Sequence, residues 1–158
     1  MTHNYTILID TREKKPFEFK GVAENSGRVR KLRKGLKVGD YTILNYENQI
    51  AIERKARADF YQTFGLNYQR FCREMTQINE MPYGFLVVEA TLKKCLTADE
   101  YQKRLPQGLG NTVLTNYLDF LHRFNRVRVQ FCGTKKEAAT FTRYLLESCY
   151  KRLQIVEF

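Results

Sequence analysis

Gly39-Asp40-Tyr41-Thr42-Ile43-Leu44-Asn45-Tyr46 leads through Glu47-Asn48 into Gln49-Ile50-Ala51-Ile52-Glu53-Arg54-Lys55-Ala56-Arg57-Ala58-Asp59. Two apolar, β-prone runs flank a short polar turn, which predicts a β-hairpin. Side chains on a strand alternate faces, so Ala51, Glu53 and Lys55 share one face of the second strand. Asp40 opens the first strand, and the hairpin folds it back toward Glu53. The pattern gathers two carboxylates and one ammonium in a small volume. It also suits a charged edge strand of a two-stranded ribbon, and spacing alone leaves both readings open.

Metal-assisted phosphodiester hydrolysis is the chemistry that uses such a set. Mg²⁺ takes oxygen ligands from one or two carboxylates and keeps several waters. The metal polarises the phosphate and acidifies its water. A nearby lysine orients that water or offsets negative charge in the transition state.

Upstream, Tyr5 to Ile9 reads as an apolar central strand with Asp10 at its end. Asp10 and Glu13 also fit a capping-box spacing. Pro16 argues against a helix of any length there, which favours Asp10 as a strand-end carboxylate facing a metal cleft. Residues 18 to 27 are mixed and read as a loop or weak strand. The run Arg28-Val29-Arg30-Lys31-Leu32-Arg33-Lys34-Gly35-Leu36-Lys37 contains no acid. Charge runs are usually solvated faces, but this one immediately precedes Asp40. Arg28, Arg30, Lys31, Arg33 and Lys34 are therefore candidates to grip a nucleic-acid backbone without reading its sequence.

Gly39-Asp40, a gap, Glu53-Arg54-Lys55, three residues and Asp59 resemble the signature of the XPF/Hef family of structure-specific nucleases. Ile7-Leu8-Ile9-Asp10-Thr11-Arg12-Glu13 resembles the same family's first strand, which ends Asp-x-Arg-Glu. The resemblance covers about the first ninety residues well and the rest loosely. It implies an α/β fold with a restriction-endonuclease-like core, a mixed central sheet flanked by helices. It implies Mg²⁺, with Mn²⁺ as substitute, and DNA as substrate. Carried onto this chain, the catalytic set is Asp10, Glu13, Asp40, Glu53, Arg54, Lys55 and Asp59, with Asp10, Asp40 and Glu53 as metal ligands. Arg12, Arg57, Arg70 and Arg73 join the basic run as DNA contacts. Relatives pair through their nuclease domains, which implies a homodimer or a heteromeric partner here. The expectation is a single nuclease domain over 1–158, without the helix-hairpin-helix or helicase parts, acting on branched or flap-type DNA in repair, recombination or replication. A DNA-binding or scaffolding module of the same fold that no longer cuts is the alternative, and an RNA substrate is not excluded.

Composition agrees with a polyanionic partner. The chain has 158 residues, a formal charge of +10 and a pI near 9.5. Nucleic acid is the first expectation for such a balance and a membrane surface the second. No basic amphipathic helix stands apart from the core pattern, which counts against the membrane. No long apolar span is present, and Met1-Thr2-His3-Asn4 shows no signal-peptide pattern. The expected location is intracellular: the cytoplasm, or the nucleoid in a prokaryotic or viral setting. Cys72, Cys95, Cys132 and Cys149 are widely spaced, so buried free thiols are expected rather than zinc.

Downstream, Tyr61, Phe64, Tyr68, Phe71, Met75 and Ile78 form one helical apolar stripe, with Asp59 at a capping position before it. Arg70 and Glu74 are an i,i+4 pair. Phe85 to Val88 is the clearest buried strand. Glu89 ends it, either paired with a lysine such as Lys93 or supporting the metal from behind. Thr97 and Glu100 suggest a short capped helix. Val113, Leu114, Tyr117, Leu118, Leu121 and Phe124 keep helical spacing, and Arg126 to Cys132 alternates like a half-exposed strand. Thr134 and Glu137 cap a last helix running to about Lys151, with Ala138, Phe141, Leu145 and Cys149 inward. Leu153 to Phe158 is expected to be a short edge strand.

Overall fold

The computed structural model describes residues 4–19, 29–96 and 109–156. Its strands are β1 (Tyr5–Asp10), β2 (Val29–Lys34), β3 (Tyr41–Ile43), β4 (Ile50–Lys55), β5 (Tyr83–Val88) and β6 (Arg128–Phe131). Its helices are α1 (Arg57–Phe64), α2 (Tyr68–Glu80), α3 (Leu92–Leu96), α4 (Leu109–Arg123) and α5 (Lys135–Val156). The strands form one sheet in the order β2-β1-β3-β4-β5-β6. β1–β3 and β3–β4 are antiparallel, while β1–β2, β4–β5 and β5–β6 are parallel. This is a mixed α/β sheet with helices on its faces, as expected.

The hairpin forms, with Tyr41 opposite Ile52. Its reversal is longer than Glu47-Asn48. β3 ends at Ile43, Asn45 takes a φ of 73°, and the chain re-enters the sheet at Ile50. β1 is buried along almost its whole length because it lies between β2 and β3. The basic run becomes the edge strand β2, whose mostly exposed side chains suit a sheet border.

Two apolar layers sandwich the sheet. On one side Phe60, Phe64, Phe71, Met75, Leu86, Tyr117 and Phe120 join α1, α2 and α4 to the sheet. On the other, Phe17, Phe19, Tyr41, Ile52, Val87 and Leu146 pack between the loop after β1, the sheet and α5. β4 feeds both layers by alternation: Ala51 belongs to the first, Ile50 and Ile52 to the second.

Three expectations need correction. The stripe from Tyr61 to Ile78 is two helices, broken at Gly65, although both halves bury their apolar residues in one layer. Asp59 is not the cap. Ala56 holds that position and makes no side-chain cap bond, while Asp59 lies exposed in the first turn of α1. There it favours the positive end of the helix dipole. The helix expected from the Val113–Phe124 spacing forms: Val113, Tyr117 and Phe120 of α4, and Phe124 just after it, are buried, while Leu114, Leu118 and Leu121 are 40–49% exposed. The last helix continues to Val156, so residues 153–156 are helical rather than an edge strand. Its expected cap holds: Thr134 Oγ1 donates to Glu137 Oε2 (3.0 Å), and the Glu137 N–H donates back to Thr134 Oγ1 (3.2 Å). Cys72, Cys95 and Cys149 are buried free thiols and Cys132 is half-buried. Arg28, the Thr97–Glu100 pair, Phe158 and most of the loop read at 18 to 27 lie outside the described residues.

Candidate active site

Asp40 sits where β3 leaves a tight backbone approach. Gly39, before it, has a φ of +74°, and a Cβ there would lie 3.3 Å from the Ile52 carbonyl oxygen. Only glycine takes that conformation and that proximity without strain. The Asp40 N–H donates to Ile52 O at 2.8 Å, and the Asp10 N–H donates to Asp40 O at 2.9 Å. The Arg54 N–H donates to Asp40 Oδ2 at 2.8 Å. Asp40 is thus pinned between the ends of β1 and β4, with its carboxylate held by the strand that carries Glu53.

Glu53 is 7% exposed, and Lys55 Nζ lies 2.8 Å from its Oε1. Lys55 also lies over the Phe71 ring of α2, 5.3 Å from its centroid. Burial, then the neighbouring Glu53, push the Asp40 carboxyl up to about 8. Burial also raises Glu53, against the opposing pull of Lys55. Burial alone would lower Lys55, but Glu53 and Asp40 hold it above its ordinary value. Two desolvated carboxylates, one of them made costlier to ionise by its neighbour, form a donor set that a hard divalent cation satisfies. Asp40 and Glu53 therefore fit such an ion.

Asp10 is placed differently. It is 1% exposed, and its carboxylate accepts from the Leu36 N–H (2.9 Å) and from Arg12 Nε (2.7 Å). Those bonds hold its carboxyl below the usual range despite burial, which acts the other way. Among the described residues no three acid, histidine or cysteine side chains are gathered as a metal cluster. Asp10 organises the turn before Asp40 in this arrangement, and Arg12 completes that turn by donating to Leu36 O (3.1 Å).

Arg54 points to the opposite face from Glu53 and Lys55. Its guanidinium lies 4.3 Å from the Phe17 ring centroid. Nε donates to Glu89 Oε1 (2.6 Å), while Nη1 donates to Glu13 Oε2 (2.7 Å) and Lys15 O (2.6 Å). Glu13 also accepts from the Tyr41 hydroxyl at 3.3 Å, and its charge acts on both Asp40 and Glu53. Glu89 thus pairs with Arg54.

Several expected DNA contacts have partners within the chain. Lys31 donates to Glu18 O, and Arg33 donates to Thr11 O and Glu13 O, latching the loop after β1. Lys34 pairs with Glu47 at 3.0 Å. Arg57 donates to Lys94 O. Arg70 lies 3.9 Å from Glu74, and Arg30 and Arg73 are exposed.

The sequence reading of the site missed Glu74, whose charge acts on Glu53, Lys55 and Arg12. Phe71 contacts Lys55, and an i+3 residue on a helix shares its neighbourhood. The Phe71–Glu74 spacing was therefore the available signal. The Glu89–Arg54 link had no local signal, because it joins β4 to the residue just past β5, its parallel neighbour.

The fold resembles solved structures of known proteins. XPF from Aeropyrum pernix matches with a TM-score of 0.65 at 21% identity, over 96% of this chain and 68% of that one. XPF from Aeropyrum pernix in complex with DNA matches with a TM-score of 0.60 at 19% identity, over 94% and 66%. No curated protein sequence matches significantly. The model of the ERCC4 domain matches residues 9–145, which span β1 from Ile9 through the first half of α5 and include every acid described above, so the chain belongs to the ERCC4 domain family.

Proposed function

We propose that this chain is a metal-dependent DNA endonuclease that hydrolyses phosphodiester bonds in branched or flap-type DNA. The observation that carries the reading is the triplet Asp40, Glu53 and Lys55. Two desolvated carboxylates meet at one sheet end, with an ammonium 2.8 Å from one of them. Membership of the ERCC4 domain family supports it, as does likeness of fold to a protein solved with DNA.

Asp40 and Glu53 would hold Mg²⁺, or Mn²⁺ in its place. A bound divalent cation supplies Lewis-acid polarisation of the phosphate and a more acidic water. Lys55, fixed by Glu53 and the Phe71 ring, carries its proton at neutral pH and faces charge that develops on the scissile phosphate. The Arg54 N–H orients the Asp40 carboxylate. Arg12, 71% exposed and held by Asp10, would meet an incoming phosphate. Arg30, Arg70 and Arg73 add exposed cations for the backbone. Pairing with a second copy belongs to the proposal, through the exposed Leu114, Leu118 and Leu121 stripe of α4.

Labelled single-stranded, duplex, flap and four-way DNA, with Mg²⁺ and with EDTA, test the reading. Metal-dependent cuts concentrated on flap or junction forms are expected. Binding without cleavage would instead favour the non-cutting module. A monomeric mass by light scattering at micromolar concentration would remove the pairing.

A further inference from the structure

The region behind the cleft holds a buried ion triad. Arg54 and Glu89 side chains are 11% and 8% exposed, and Glu13 is 19% exposed. A guanidinium taken out of water needs acceptors in fixed geometry, and losing one leaves a costly uncompensated charge. Glu89 reaches this strand end twice. Its carboxylate takes Arg54 Nε at 2.6 Å, and its backbone N–H donates to Lys55 O at 2.9 Å. Arg54 lies between the two residues of β4 that face the cleft, and its own N–H holds Asp40 Oδ2 at 2.8 Å.

We infer that Glu89 is a positioning residue for the cleft, acting through Arg54 to fix the carboxylates of Asp40 and Glu13. The inference rests on the nuclease reading for its kinetic consequences, but its geometry stands without it. With Glu89 in place, Arg54 divides its donors: Nε serves Glu89, and Nη1 serves Glu13 and Lys15 O. Glu13 is then held by one guanidinium bond and the Tyr41 hydroxyl. Without Glu89, the guanidinium turns to take Glu13 with both edges, the favoured fork geometry for an arginine and one carboxylate. That turn shifts Glu13, whose charge acts on Asp40 and Glu53, and loosens the backbone whose N–H aims Asp40. Groups behind metal-binding carboxylates act in this way on affinity and turnover.

The test uses the whole chain, with Glu89→Ala, Glu89→Gln, Arg54→Met and the double variant Glu89→Ala/Arg54→Met. Calorimetry measures Mn²⁺ affinity, fluorescence anisotropy in Ca²⁺ measures DNA affinity, and flap cleavage gives kcat and KM. Glu89→Ala is expected to weaken Mn²⁺ binding and lower kcat by about tenfold each, with DNA affinity and KM within about twofold. Glu89→Gln keeps an acceptor for Nε–H and is expected to recover most of both. The double variant is expected to be no worse than Arg54→Met alone, as two residues acting through one contact are not additive. Wild-type Mn²⁺ affinity and kcat in Glu89→Ala with only a lower melting temperature would overturn the inference, as would additive losses. If Glu89→Ala does not fold, Glu89→Gln with full Mn²⁺ affinity supports the inference, and Glu89→Gln with tenfold weaker affinity overturns it. If the wild type binds Mn²⁺ but cuts nothing, the nuclease reading fails while the calorimetric arm still decides the role of Glu89.

Discussion

The Arg54 backbone N–H and the Asp40 carboxylate are joined at 2.8 Å, while the Arg54 side chain is held on the far face of the sheet. The middle residue of Glu53-Arg54-Lys55 therefore meets the cleft with its main chain only. Its neighbours Glu53 and Lys55 meet it with their side chains. This division of labour follows from the two-residue period of a strand, and it assigns different consequences to each substitution.

Lys55→Ala removes the cation beside Glu53. Many other cations remain for holding DNA, so affinity for uncut substrate is expected to stay within about twofold. Turnover is expected to fall by on the order of a hundredfold or more, the scale for losing one donor that acts in the transition state. Single-turnover cleavage beside anisotropy separates the two effects. A loss confined to binding would take Lys55 out of the chemistry.

Asp40 carries a pH signature. Burial, and Glu53 after it, raise its carboxyl from 3.8 to about 8. Between those values the folded protein holds a proton that the unfolded chain has released, so stability falls as pH rises through that window. Asp40→Asn removes this cost and is expected to raise the melting temperature of metal-free protein at pH 8.5 by roughly 2–8 °C, with little effect at pH 4. A cation must displace the same proton. Wild-type Mn²⁺ affinity is therefore expected to rise by up to about tenfold per pH unit below 8 and to level off above it. A flat affinity profile between pH 6 and 8 would contradict the assignment of Asp40 as a ligand.

DNA binding is expected to weaken steeply with salt and to depend little on sequence. With about five phosphates neutralised on duplex DNA, the log–log slope is roughly −4 to −5. Arg30 and Lys37 are exposed, whereas Lys31 and Arg33 are used inside the chain. Arg30→Gln with Lys37→Gln is expected to reduce the slope by up to about 2. Arg33→Gln is expected to lower the melting temperature instead, because it releases the loop at Thr11 and Glu13.

Gly84 on β5 tests the packing of α2. A Cβ there would lie 2.7 Å from Ile78 O and 2.8 Å from Ile78 Cγ2. Interiors this close-packed do not absorb a methyl group against backbone. Gly84→Ala is expected to cost about 1–3 kcal/mol, read by urea denaturation, and to leave the Mn²⁺ site of the folded fraction unchanged.

Features written in local order were legible in the sequence. The hairpin, the buried strand at Phe85, the Thr134–Glu137 cap and the alternation of β6 each follow from neighbouring residues. So did the meeting of Asp40 with Glu53, which a hairpin enforces. What escaped depended on contacts distant in sequence. Asp10 and Leu36 meet only because β1 and β2 pair in parallel. Arg54 and Glu89 meet only because β4 and β5 do. The side of α4 that stays open was illegible as well. A stripe containing Val113 and Leu114 does not say which half turns inward, because both are apolar and only packing against Phe60 and Phe64 selects Tyr117 and Phe120. Gly65 was a visible break that an unbroken three-and-four spacing concealed.

The alternation along β4 has one more consequence, for how the sheet assembles. Shifting this strand by one residue would send Arg54 into the cleft and press Glu53 and Lys55 beneath α5. The ring of Phe17 would lose its cation, and both apolar layers would receive charges without partners. Misregistered pairings are thus driven apart by the same three side chains that build the site, and any molecule that completes its folding carries the cleft in one alignment.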